Sequence, residues 1–242
     1  MRRNKRRPGL DAACVALLFA LAHPVGAGTR SKVMAVEEKV DGLSQGEYVV
    51  RWWQWVNRVS GSVKPFRDPT GAMCRLNQSG NVWFLAGTDG TDDVLRHCTM
   101  PADKYIFLPI INMIGFSTPG HKISCDEAKN FAAANNDHLA SAEVWIDGRA
   151  VANIVRHRVR SPACFDAVLY AAYLPMHDSY FPAATDGYWL MLRPLSPGKH
   201  SIRVKARYNN PGHTLGDMEQ DFEYQLQLED PAAKPDPGAV RA

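Results

Sequence analysis

Between Ser201 and Tyr208 every second residue is apolar: Ile202, Val204, Ala206 and Tyr208 alternate with Arg203, Lys205 and Arg207. The same period of two returns in Asp221 to Leu228, where Phe222, Tyr224, Leu226 and Leu228 alternate with acidic and amide side chains. A period of two turns one face to a core and the other to water, as antiparallel sheets do. Paired antiparallel, the basic outer face of the first run would attract Asp221 and Glu223 on the second. Shorter apolar runs predict further strands at 81–88, 96–100, 105–113 and 188–193. The turn Pro101-Ala102-Asp103-Lys104 joins the second of these to the third, and Ser196-Pro197-Gly198-Lys199 follows the last. Residues 143–146 and 149–154 flank Asp147-Gly148, a favoured two-residue hairpin turn.

One segment departs from this period. Ser44-Gln45-Gly46-Glu47 has the S-x-x-E form of a capping box, which predicts a helix over 45–59. At 100° per residue Val49, Trp52, Trp53, Val56 and Val59 share a face, with Tyr48 and Trp55 on its flank. Trp52, Trp53 and Trp55 therefore read as a core plug rather than as an exposed platform for sugars. A second short helix is expected over 125–135. Strands joined by short turns, without βαβ alternation, predict a mainly β chain. The expected architecture is an antiparallel, jelly-roll-like β-sandwich carrying the Trp-rich helix and the short second one. One domain over 44–228 is expected, between an irregular segment at 28–43 and a proline-containing tail at 229–242 that reads as disordered.

The N-terminus changes the charge picture. Arg2 to Arg7 is strongly basic, a mostly apolar run follows to Ala22, and Val25-Gly26-Ala27 offers the small residues of a cleavage site. Residues 1–27 thus read as a signal peptide, the apolar run being too short for a comfortable membrane span. Five of the 28 Lys and Arg lie there but only one of the 25 Asp and Glu, so the remaining chain carries a net −1. Neither nucleic acid nor a membrane span is expected for the mature chain. Secretion or a periplasmic location suits the cysteines left behind. Cys74, Cys98, Cys125 and Cys164 contain no C-x-x-C and read as two disulfides. Three pairings are open; Cys74–Cys98 with Cys125–Cys164 is favoured because each closes a short local segment.

Few residues signal chemistry. Gly42-Leu43-Ser44-Gln45-Gly46 matches G-x-S-x-G, but too little chain precedes Ser44 to build the sheet beneath a nucleophile elbow, and Ser44 is explained as a cap. Asp89, Asp92 and Asp93 offer hard oxygen ligands for a Ca²⁺ site, with a solvated turn as the preferred reading. His177, Asp178 and Asp186 lie within ten residues in LPMHDSYFPAATDGYW, read as a loop, and are the candidate catalytic or cation-binding set. No other cofactor is signalled. Asn77-Gln78-Ser79 is a glycosylation sequon where the host glycosylates exported proteins.

WWQW, DPTGAMCRLNQSGNVWFLAGT and RHCTMPADKYIFLPIIN together resemble a set of exported bacterial proteins of unknown function. The resemblance covers roughly residues 44–115, and more loosely the DGR hairpin at 147–149 and PLSPGKHSI at 194–202; Asp103 stands where Gly is expected. It implies the Cys74–Cys98 pairing and an exported β-rich domain, and it brings no activity. The functional expectation is a non-enzymatic, exported binding or envelope-associated protein with an extracellular ligand such as a glycan. Hydrolysis of an extracellular polymer by carboxylates and histidine, and a structural role in a surface assembly, are the alternatives.

Overall fold

The computed structural model describes residues 31–59, 64–90, 93–168 and 180–232. The proposed signal peptide and residues 233–242 of the tail lie outside them, as do Asp92, His177 and Asp178. Helix α1 (Gln45–Asn57) begins at the expected capping box: Ser44 Oγ accepts from the Glu47 amide, and the Glu47 carboxylate accepts from the Ser44 amide. Strands β1 (Val82–Phe84), β2 (Val94–Pro101) and β3 (Tyr105–Phe116) precede helix α2 (Cys125–Asn136), whose Ser124 and Glu127 form a second capping box. Then come β4 (Leu139–Ile146), β5 (Arg149–Ala150), β6 (Arg158–Arg160), β7 (Ala183–Leu192), β8 (Gly198–Tyr208) and β9 (Glu219–Glu229).

Two sheets form the expected sandwich. One has the order β1-β3-β7-β6 and the other β2-β9-β8-β4-β5. Leu108, Ile110, Leu190 and Leu192 of the first meet Val204, Phe222, Tyr224 and Leu226 of the second in the main core. The outer face of the first sheet is covered by α1: Trp52 and Trp55 pack with Phe107, Trp189 and Met191. Strand β7 is therefore buried along its whole length, which explains why YWLML shows no alternation. Trp189 and Phe107 stack at 5.3 Å, and Trp52 meets the Trp189 edge at 5.2 Å. Each tryptophan of α1 finds an acceptor for its indole N–H: Leu85 O for Trp52, Thr185 Oγ1 for Trp53 and Leu76 O for Trp55, each at 2.8 Å.

β8 and β9 pair antiparallel, and the charges meet as expected: Arg203 with Asp221 and Glu223, Lys205 with Asp221, Arg207 with Glu219. Two pairings are parallel, β1 with β3 and β2 with β9, so the sheets are mixed rather than wholly antiparallel. The Pro101–Lys104 turn is no hairpin either. It carries the chain from one sheet to the other, since β2 is an edge of the second sheet and β3 lies inside the first. The Asp147-Gly148 turn has positive φ at both residues, but β5 lasts two residues because Asn153 turns left-handed ahead of a short 3-10 turn. Both favoured disulfides are present, Cys74–Cys98 and Cys125–Cys164.

Two of the segments that carry the resemblance, those of Asp68–Thr88 and Arg96–Asn112, are tied together by the contacts of Asp68, Gly71 and Arg96. Asp68 accepts from the amides of Thr70, Gly71 and Met73, closing the DPTG loop. A Cβ on Gly71 would lie 2.3 Å from the His97 carbonyl, so only glycine lets this loop lie on β2. Gln78 donates to the carbonyls of Cys74 and Phe84 and accepts from the Phe84 amide. At the centre is Arg96, 1% exposed. Its guanidinium donates to the carbonyls of Phe66, Asp68, Ala86 and Gly87 and to the Tyr224 hydroxyl.

Candidate functional site

Three large apolar side chains left partly in water, Phe116 at the end of β3, Phe131 on α2 and Leu215, share one concavity. Clustered exposure of this kind marks an interaction site far more than scattered apolar residues do. The cavity holds about 330 Å³, with Trp52, Trp53, Phe66, Met113 and Ile114 among its other apolar walls. Two more cavities share Ile114 and Phe116 with it as lining. One, about 380 Å³, runs past Trp53, Phe66 and Tyr180 to Asn57 and Lys64; the other, about 270 Å³, runs past Phe131 to His121 and Glu127. Together they form a branched apolar groove. Trp53 lines two of its branches, so the tryptophan helix is both plug and wall.

The local fold shapes each wall. Gly115 admits α2 against β3, since a Cβ there would lie 2.4 Å from the Ala128 carbonyl. Arg96 and Tyr224 hold the chain at Ala86-Gly87, and Arg96 also holds Phe66. Gln220 accepts from the Thr88 amide and donates to its carbonyl, fixing the next residue of that wall. Among the groove's polar side chains, Thr88 and Gln220 bind each other, and Asp89 pairs with Arg67 at 3.4 Å. The Asn112 carboxamide has no hydrogen-bond partner among the described residues and is the polar handle of the first cavity. Arg96, Asn112, Phe116, Phe131 and Gln220 were not legible as site residues, because they come from β2, β3, α2 and β9 and no motif spans them.

Those candidates read from the sequence that are among the described residues lie elsewhere or are otherwise engaged. Asp186 is not in a loop. It lies within β7, 2% exposed, and accepts two bonds from Arg158 and one from Arg160, at 2.7–2.9 Å. Asp186 and Asp137 hold the Arg158 guanidinium protonated, its pKa raised. A carboxylate so paired is a structural anion. Asp89 turns to Arg67, Asp93 sits exposed with positive φ just before β2, and no three His, Cys, Asp or Glu side chains gather among the described residues. Ser44 Oγ donates to Glu47 Oε2 as well as accepting from its amide, so it serves the helix cap at both ends.

One triad-like arrangement did emerge. His200 Nδ1 lies 3.0 Å from Asp147 Oδ2, and Nε2 lies 3.4 Å from Ser196 Oγ. Nε2 is closer, at 2.9 Å, to the Ser196 carbonyl oxygen, which can only accept. Both ring nitrogens thus face acceptors, Nδ1 the Asp147 carboxylate and Nε2 the Ser196 carbonyl, and Nε2 is directed at the backbone more closely than at the hydroxyl. The cluster is a latch: Asp147 also accepts from Lys32 and from the Ser201 amide, tying the N-terminal segment and two turns together. Burial would raise the Asp147 carboxyl, but the bonds from Lys32, His200 and Ser201 outweigh it and hold the pKa at about 2. A pKa depressed on folding adds stability that is complete above the unfolded value and lost as pH falls through the folded one. Asp147→Asn is thus expected to lower the thermal midpoint at pH 7 and to match wild type as pH falls from about 4 towards 2. A thermal melt series over that range checks this, and a gap that persists at pH 2 would show that the charge is not its source.

No protein-family model matches the chain, and no curated protein matches it. Among solved structures, a cysteine protease inhibitor, EhICP2 from Entamoeba histolytica, aligns over 61% of this chain and 96% of its own, at 10% identity and a TM-score of 0.23. At that score the likeness bears on neither fold nor function.

Proposed function

We propose that this is an exported binding protein that holds an apolar ligand in the groove around Phe116. The observation that carries the reading is the clustering of three cavities around Ile114 and Phe116, with exposed aromatic side chains in the walls. Ligand sites are typically concave, mostly apolar and largely preformed, with a few polar groups to orient the occupant. The Arg96 knot and the Gln220 clamp supply the preformed wall, and Asn112 supplies a polar group. The pairing of Asp186 with Arg158 and Arg160 favours binding over hydrolysis.

A homologous series of straight-chain primary alcohols tests the reading. Each buried methylene is worth about 0.8 kcal/mol, so affinity is expected to rise about fourfold per carbon until the groove is filled. Intrinsic tryptophan emission provides the signal, Trp52 and Trp53 standing in the groove wall. Phe116→Asp places a charge where the branches meet, on a side chain already 36% exposed. It is expected to weaken binding at least about tenfold, the loss of some 1.4 kcal/mol, with little change in thermal midpoint. An affinity flat with chain length, or unchanged in Phe116→Asp, rules out the groove as the site.

A glycan reading rests on a different concavity, about 380 Å³, where Asp41, Arg51, Gln54, Asn77 and Asn81 gather beside Trp55 and Phe84. Its polar lining suits hydroxyl groups as the groove does not. Binding of a soluble polysaccharide that survives Phe116→Asp and is lost in Arg51→Ala with Asn81→Ala would favour it.

A further inference from the structure

The second branch of the groove ends at a cation for which the described residues supply no anion. The turn Lys64-Pro65-Phe66-Arg67 places Lys64 in its wall beside Asn57 and Phe66. Its ammonium donates to Asn57 Oδ1 and lies 5.9 Å from the Phe66 ring centroid. Asn57 in turn donates to the Ala167 carbonyl, so the amide is fixed. Among the described residues no carboxylate lies within ion-pair distance of Lys64. The nearby charge is Arg67, itself turned to Asp89. Burial first, and then Arg67, lower the Lys64 pKa. A half-buried ammonium with one amide acceptor is incompletely compensated for leaving water.

From these observations we infer that the groove takes a straight-chain fatty acid, its carboxylate on Lys64 and its chain along Phe66, Ile114 and Phe116. The inference rests on the groove being the binding site and adds the ligand's charge and the position of its head. Charge complementarity selects the occupant. A carboxylate supplies the missing anion, and the branch beyond Lys64 is apolar, as a polymethylene chain requires. The first cavity shares Trp53, Phe66, Ile114 and Phe116 with this branch and reaches Met113, so these side chains mark the path of the chain, and an unbranched chain follows a path that bends more readily than a rigid ring system does.

The test measures displacement of a fluorescent apolar probe at pH 7 by dodecanoate, dodecanol and dodecylammonium, all below their aggregation concentrations. Wild type is expected to prefer dodecanoate over dodecanol by about tenfold, the worth of one charge-assisted hydrogen bond, with dodecylammonium weakest. Lys64→Met keeps the stem and removes the charge, and it is expected to collapse the acid-to-alcohol ratio to near unity. Lys64→Arg is expected to restore a preference for the acid. Equal binding of acid and alcohol by wild type, or a ratio unchanged in Lys64→Met, overturns the assignment of the head while the apolar groove stands. Failure of both ligands to displace the probe overturns the groove reading and this inference together.

Discussion

The Arg96→Met protein is expected to unfold about 6–20 °C below wild type, taking about 3–5 kcal/mol for the acceptors it orphans and 2–4 °C per kcal/mol for a chain of this size. The substitution keeps an apolar stem of similar length and deletes the donors. The carbonyls of Phe66, Asp68 and Gly87 then lose this partner in a site with almost no access to water, while Ala86 and the Tyr224 hydroxyl keep their bonds to each other. Each orphaned acceptor costs about 1–3 kcal/mol before relaxation, which sets the size of the effect. Arg96→Lys is expected to recover little, because one ammonium cannot serve acceptors spread around a planar fork. Ligand affinity should fall as well, since the same guanidinium holds Phe66 and Gly87 in the groove wall. A thermal midpoint within about 3 °C of wild type would show that water or a rearranged backbone replaces the guanidinium, and that the knot is not what shapes the groove.

Asp186→Asn is expected to cost about 3–5 kcal/mol, the penalty for breaking a buried ion pair from one side. The carboxamide would turn an N–H₂ towards Arg158 or Arg160, where the wild-type oxygens each accept a guanidinium. Denaturant unfolding reads the loss directly. Arg158→Met combined with Asp186→Asn should be less damaging than the two single changes added together, because the double variant removes both members of the pair. This prediction also separates binding from hydrolysis. A catalytic Asp186 requires Asp186→Asn to stay folded and lose turnover, whereas a structural anion requires loss of folding stability first.

The β-sandwich, the capped tryptophan helix and the facing charges of β8 and β9 were legible because each is written in short-range pattern. Ser44 and Glu47 sit three residues apart, and Arg203, Lys205 and Arg207 alternate with apolar neighbours regardless of what lies across the sheet. The disulfides were favoured on local spacing, and the structure joins those same cysteines. The triad-like latch had no such signal, since Asp147 is far along the chain from Ser196 and His200. Asp186 was misplaced in a loop because the apolar run around it is not periodic. A strand covered by α1 on one face and by the second sheet on the other has no wet face to reveal.

What the sequence by itself determined is whatever depends on neighbours a few residues apart: the helix start, the turn at Asp147-Gly148, the in-out faces of β8 and β9, and the tryptophans' apolar side. What only the tertiary structure decided is which segments meet. The crossing at Pro101–Lys104, the parallel pairings of β1 with β3 and β2 with β9, the Arg96 knot and the branched groove all join residues distant in sequence. Such contacts depend on the packing of the whole domain, because the entropy of closing a long loop is repaid only by many contacts made together. No local pattern records them, and the candidate site is made almost entirely of them.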